Sequence, residues 1–197
     1  MDKGTTYLSQ TRYAEEILRT DNFWNATPHL INTHLNKDDC DKNPAPDFHR
    51  RYRGIVSSLG YLVTRTGLDL AWAYSKLSKY VQFPGKNHML ATEHVLCYLR
   101  GTWNQTIRYS RDSHAENPNV LWGCVDADCA GDTDTRCFHT GYILMMNGGP
   151  ISWKSRRQDN VSLSQATSEA KFVAASQAGH EAIYLRETLT NFEFPKS

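Results

Sequence analysis

The sequence predicts a mixed α+β chain: a helical N-terminal part, then three strands and one helix forming a three-stranded sheet with a helix behind it. Three observations carry this. Residues 120–128 alternate with a period of two, Asn147-Gly148 divides two apolar runs, and apolar residues from Ala170 to Leu189 recur at helical spacing. The break is read at 104/105, with residues 1–104 helical apart from a connector at about 34–48.

Upstream, three helical stripes are legible. Tyr52, Ile55, Val56, Leu59 and Val63 form one, Leu70, Ala73, Tyr74, Leu77 and Val81 a second, and Ala91, His94, Val95 and Tyr98 a third. Pro84-Gly85 separates the second from the third, and Gly101 is a suitable end for the third. From His34 to Phe48, Pro44, Pro46 and the acids Asp38, Asp39, Asp41 and Asp47 describe an exposed connector.

Downstream, alternation in Val120–Asp128 puts Trp122, Cys124, Asp126 and Asp128 on one side of a strand. Thr140–Met146 reads as a continuously apolar central strand, Asn147-Gly148 as a tight hairpin turn, and Pro150–Ser155 as the returning strand. Val161–Ser164 alternates again, and the helix begins near Thr167, with Ala170, Ala174, Ala178, Ala182, Leu185 and Leu189 on one stripe.

Composition is that of an ordinary globular chain: 197 residues, 40% hydrophobic, 11% aromatic, with net charge +1. A charge so near zero supplies no global field for nucleic acid, so binding would need the local clusters Arg50-Arg51-Arg53 or Lys154-Arg156-Arg157. The plainer reading of each cluster is a solvated face. No apolar run reaches the ~18 residues of a membrane helix, and Met1-Asp2-Lys3-Gly4 does not resemble a signal peptide. An intracellular protein, cytoplasmic or nuclear, is expected, with neither a membrane nor a small-molecule substrate as partner. Cys40, Cys97, Cys124, Cys129 and Cys137 lack the paired spacing of a zinc site. Trp72, Trp122 and Trp153 read as core, and His88 and His94 as packing or capping groups.

Several motifs in order resemble one family. Asp126-Ala127-Asp128-Cys129-Ala130-Gly131-Asp132, Thr140-Gly141-Tyr142, Gly148-Gly149-Pro150-Ile151-Ser152-Trp153 and Ser168-Glu169-Ala170-Lys171-Phe172 are similar to the ribonuclease H domain of copia-type retrotransposon Pol polyproteins. Tyr7-Leu8-Ser9-Gln10, Tyr52–Leu62 and Tyr98-Leu99-Arg100-Gly101-Thr102 resemble the tail of the same polyprotein's reverse transcriptase. The resemblance covers nearly the whole chain. It implies a reverse-transcriptase remnant of thumb-like helices followed by an incomplete ribonuclease H-like domain.

The ancestral activity so implied is cleavage of RNA in RNA/DNA hybrids by two Mg²⁺ ions, which need carboxylate ligands. Asp126 matches the family's first carboxylate and ancestral metal ligand, whereas Lys171 stands where the second, a glutamate, is expected. An ammonium there repels cations and offers no lone pair. Glu169 is a poor substitute, because residues two apart on a helix differ by about 200° around its axis. The later carboxylates have no counterpart before Pro195-Lys196-Ser197. Cys97, Cys124, Cys129 and Cys137 occupy positions where the resemblance expects arginine or aromatic residues, a pattern of drift.

The resemblance thus implies a truncated, degenerate copy that binds no metal and is catalytically dead. Two alternatives stay open. One is a non-catalytic module holding an RNA/DNA hybrid or single strand through Lys154, Arg156 and Arg157; the other is a fragment of a longer, active ribonuclease H.

Overall fold

The computed structural model describes residues 4–20, 35–110, 119–128, 137–158 and 167–192. The chain is mixed α and β, with five α-helices among the described residues, and it divides into two compact units. One unit runs from Ser9 to Thr106; the other joins the strand Thr5–Leu8 to the residues from Ile107 onward. The division falls two residues beyond the boundary read at 104/105. The larger difference is that Thr5–Leu8 groups with the sheet-bearing unit, because it pairs with a strand a hundred residues later, which no local pattern announces.

In the helical unit, α1 spans Thr11–Thr20 and was not anticipated. Ser9 Oγ accepts the Thr11 amide at 3.1 Å, satisfying one of the free donors of the first turn. Ala14, Ile17 and Leu18 form its buried side. Helix α2, Pro46–Val63, opens on a proline whose missing amide is no loss at that position. Its buried residues include the predicted stripe of Tyr52, Ile55, Val56, Leu59 and Val63, with Gly60 and Leu62 beside it.

The second stripe folds differently from the single helix that the spacing predicts. A 3₁₀ turn at Leu68–Leu70 leads into a short α3, Ala71–Leu77, and a second 3₁₀ turn follows at Ser78–Tyr80. The Tyr52 hydroxyl donates to the Leu77 carbonyl at 2.9 Å, occupying an acceptor at the helix end. Helix α4 runs from Lys86 to Thr102, so Gly101 lies within its last turn instead of ending it. Trp72 is 57% exposed, against the expectation of a core residue, because the short α3 buries only Ala71 and Leu77.

The connector is also more anchored than its composition suggests. Residues Lys37–Asp39 form a 3₁₀ turn capped by Asn36, whose Oδ1 accepts the Asp39 amide at 3.1 Å.

The second unit contains β1, Thr5–Leu8, paired antiparallel with β2, Ile107–Ser110. Strands β3 (Trp122–Asp128), β4 (His139–Met146) and β5 (Gly149–Arg157) form an antiparallel meander in the order β3-β4-β5. Each strand overlaps its sequence-based prediction. The β4–β5 turn is Asn147-Gly148 with φ 53° and 77°, the two positive values that a twisted two-residue hairpin demands. Tyr109 on β2 donates its hydroxyl to the Pro150 carbonyl at 2.6 Å, and Ser110 donates its amide to Asn147 O at 2.9 Å.

Helix α5, Thr167–Asn191, covers one face of this meander. Ala170 and Ala174 pack with Ala127 and Phe138; Ala178 packs with Tyr142 and Leu144, with Ala182, Leu185, Leu121 and Ile151 alongside. Alanine at four-residue steps lets the helix approach the sheet closely. The stretch Val161–Ser164 and the residues around Asp132 lie outside the described residues.

Candidate functional site

The register assigns the β3 side chains from Trp122 to Ala127 to faces. Trp122, Cys124 and Asp126 stand opposite Met145, Ile143 and Gly141, so they share one side of the sheet, while the Asp128 side chain lies outside those described. Ala127, between the two aspartates, points the other way and is buried against α5. Asp126 is exposed, and one of its carboxylate oxygens accepts the Ala127 amide at 2.8 Å. Trp122, expected in the core, is 50% exposed because β3 is an edge strand and α5 covers the opposite face.

Lys171 and Glu169 flank Ala170, whose side chain lies in the helix–sheet contact. Each is rotated by about 100° from it, in opposite senses. Both are exposed, so neither lies on the buried stripe of α5. The first turn of α5 is therefore held at β3 through Ala170 and Ala127, with Lys171 and Asp126 each next to one member of that contact.

Among the described residues there is no group of three His, Cys, Asp or Glu side chains able to hold a metal ion. A hard divalent ion needs several oxygen ligands, and Asp126 is a single carboxylate already hydrogen-bonded to its neighbour's amide.

The β5 cations are divided by the pleat. Lys154 stands opposite Tyr142 and Arg156 opposite Thr140, on the α5 side, while Arg157 stands opposite His139 on the other. Lys154 and Arg156 are exposed. In the helical unit, Arg50 pairs with Asp47 at 3.0 Å and Arg51 with Glu93 at 3.3 Å, which leaves those two cations partly neutralised.

The sequence reading missed Gln158, the residue that ties this region together. Only 4% exposed, it donates from Nε2 to Thr140 Oγ1 at 2.9 Å and to the Ala170 carbonyl at 3.0 Å, and its backbone amide donates to Phe138 O at 2.8 Å. It thereby joins β4, the end of β5 and the first turn of α5. A polar residue closing a strand carries no signal of this role in isolation. Two further polar links went unread. His139 Nε2 and Ser155 Oγ are hydrogen-bonded at 2.8 Å, and Ser152 donates to Glu181 Oε1 at 2.8 Å. Burial, and next the charge of Glu181, push the Tyr142 hydroxyl above its ordinary ionisation range, against the opposing Ser152 hydrogen bond.

Comparison with known proteins places the chain. It is 36% identical over 190 residues to a retrovirus-related Pol polyprotein from transposon TNT 1-94 of Nicotiana tabacum, an alignment covering 93% of this chain and 14% of the relative. It is 37% identical over 172 residues to the corresponding polyprotein from transposon RE2 of Arabidopsis thaliana, covering 85% and 11%. The chain belongs to the Pol polyprotein family of copia-type transposons. It spans a small fraction of those Pol relatives. It is also 37% identical over 134 residues to a secreted RxLR effector protein of Plasmopara viticola, covering 68% of this chain and 90% of that one. No family model matches the chain. No solved structure matches it either. Among the described residues no helix is long and apolar enough to cross a membrane.

Proposed function

We propose that this Pol-family chain carries the distal helices of a reverse transcriptase followed by part of a ribonuclease H domain, and that it does not cleave RNA/DNA hybrids. The observation supporting this reading is Lys171. By resemblance its position belongs to a glutamate that binds the metal ions, and α5 carries it at the turn that packs beside the Asp126 strand. Replacing that anion by an ammonium reverses the sign of the interaction with a divalent cation. Glu169 does not compensate, since it projects from the other flank of the Ala170 contact.

The test is incubation of the purified chain with an end-labelled RNA/DNA hybrid and Mg²⁺. The expected result is no cleavage above a buffer control. Hydrolysis that disappears in Asp126→Asn would overturn the proposal.

Weak, non-catalytic attachment to nucleic acid through Lys154 and Arg156 is a second reading, supported by the exposure of both on one face of β5. Such binding would involve few phosphates, and Arg157 projects from the opposite face. Its signature is affinity for a hybrid or single strand that falls with salt at a shallow slope of about two charges, and is lost in the Lys154→Ala/Arg156→Ala double variant.

A further inference from the structure

Within the helical unit, the start of α4 is joined to the connector by a polar cluster centred on His88. This ring is completely buried and lies against Tyr80 with centroids 3.9 Å apart and planes at 14°. Its Nδ1 accepts the Gly85 backbone amide at 2.9 Å, capping α4. Its Nε2 lies 3.1 Å from the Asn36 carbonyl, an acceptor only, so Nε2 carries the hydrogen and donates. The two bonds together assign the neutral Nε2–H tautomer.

The surrounding contacts hold the same segment. The Tyr80 hydroxyl donates to the Leu35 carbonyl at 3.0 Å, and Asn87 Nδ2 donates to Asp39 Oδ1 at 2.6 Å. Gly85 lies so close to the Asp39 carbonyl that an added Cβ would stand 1.6 Å from the oxygen.

We propose that His88 is an acid-sensitive latch that holds residues Leu35–Cys40 on the N-terminus of α4 while the imidazole is neutral and releases them when it is protonated. The imidazolium carries a hydrogen on both nitrogens, so Nδ1–H would face the Gly85 N–H with no acceptor between them. The α4 cap and the neutral ring are thus mutually required. Burying the new charge adds a desolvation cost.

Ionisable groups on the neighbouring elements do not replace the lost bond. On the connector, Asp39 already accepts from Asn87, and Lys37 and Asp38 are exposed. On the 3₁₀ turn, Tyr80 is committed to Leu35 and Lys79 is half-buried. On α2, Tyr52 donates to Leu77 and His49 to the Val81 carbonyl at 2.8 Å. On α4 itself, Lys86 is exposed and Glu93 pairs with Arg51. The latch is closed while the imidazole is neutral and opens only on its protonation, which the full burial of the ring and the Gly85 hydrogen bond to Nδ1 both oppose.

Amide hydrogen exchange of the full chain between pH 8 and pH 5, corrected for intrinsic rates, tests this, with the His88 ring nitrogens followed by NMR. The expected result is an Nε2–H ring at pH 8, and a tenfold or greater loss of protection at the Gly85 and Asp39 amides that tracks ring protonation. The Leu59 and Ala174 amides stay protected. Ring protonation with Gly85 unchanged overturns the proposal, as does a ring still neutral at pH 5, an Nδ1–H ring at pH 8 or simultaneous loss at Leu59. In His88→Asn, whose side-chain oxygen caps Gly85 without titrating, Gly85 protection becomes independent of pH. Should that variant fail to fold, the ring and amide titrations of the unaltered chain decide alone.

Discussion

Gln158 and Thr140 are joined by a buried hydrogen bond of 2.9 Å in which the glutamine amide donates to the threonine hydroxyl, and the same nitrogen reaches the Ala170 carbonyl at 3.0 Å. Thr140 is 1% exposed, so water cannot readily replace the amide. One side chain therefore supplies donors to a central strand and to the first turn of the helix that bears Glu169 and Lys171.

Gln158→Ala leaves both acceptors buried without that donor. The expected cost is ~1–3 kcal/mol, that of one buried acceptor left without its donor, since the Ala170 carbonyl also accepts within α5. Urea unfolding of the variant against the parent measures it, and a change below ~0.5 kcal/mol would show that the bonds do not hold the helix to the sheet.

Lys171→Glu exchanges one exposed side chain for another and should alter stability by less than ~0.5 kcal/mol. On the proposed reading, it also makes the chain more responsive to magnesium. Thermal unfolding with and without millimolar Mg²⁺ is the measurement. The variant's melting temperature should rise with the ion and the parent's should not, while an equal response in both would remove Lys171 from the explanation.

Gly85→Ala should destabilise the helical unit by ~1–3 kcal/mol or more, since the new methyl has no space beside the Asp39 carbonyl. Gly85 has φ −104°, so the cost comes from crowding and not from backbone strain. Chemical denaturation checks this. An unchanged midpoint would mean that the Lys37–Asp39 turn moves away without penalty.

Tyr52 provides a pH prediction. Burial raises its ionisation well above the ordinary tyrosine range; Thr92's hydrogen bond opposes the shift and a coulombic contribution from Cys40 adds to it. The folded chain holds this proton more tightly than the unfolded chain, so the stabilisation is complete below pH ~10 and is lost as pH rises beyond it. Tyr52→Phe should cost ~1 kcal/mol near neutrality through the Leu77 bond, and should flatten the alkaline decline. Unfolding curves from pH 8 to 11 separate these two effects, and an equally steep decline in the variant would assign the sensitivity to another group.

The amino-acid order alone determined the elements whose signals are local and periodic. The α2 stripe from Tyr52 to Val63, the Asn147-Gly148 hairpin and the alanine stripe of α5 were legible because side-chain period and turn stereochemistry depend on neighbouring residues. The order of its motifs also pointed to the Pol family. Tertiary structure decided what depends on distant partners. It joined Thr5–Leu8 to Ile107–Ser110, divided the helix expected at Leu70–Val81, and left Trp72 and Trp122 exposed. It also made an anchor of Gln158, which the sequence did not single out, and gave His88, read as a packing or capping group, its partner on the connector, because a hydrogen bond between segments far apart in the chain leaves no periodic trace in either one.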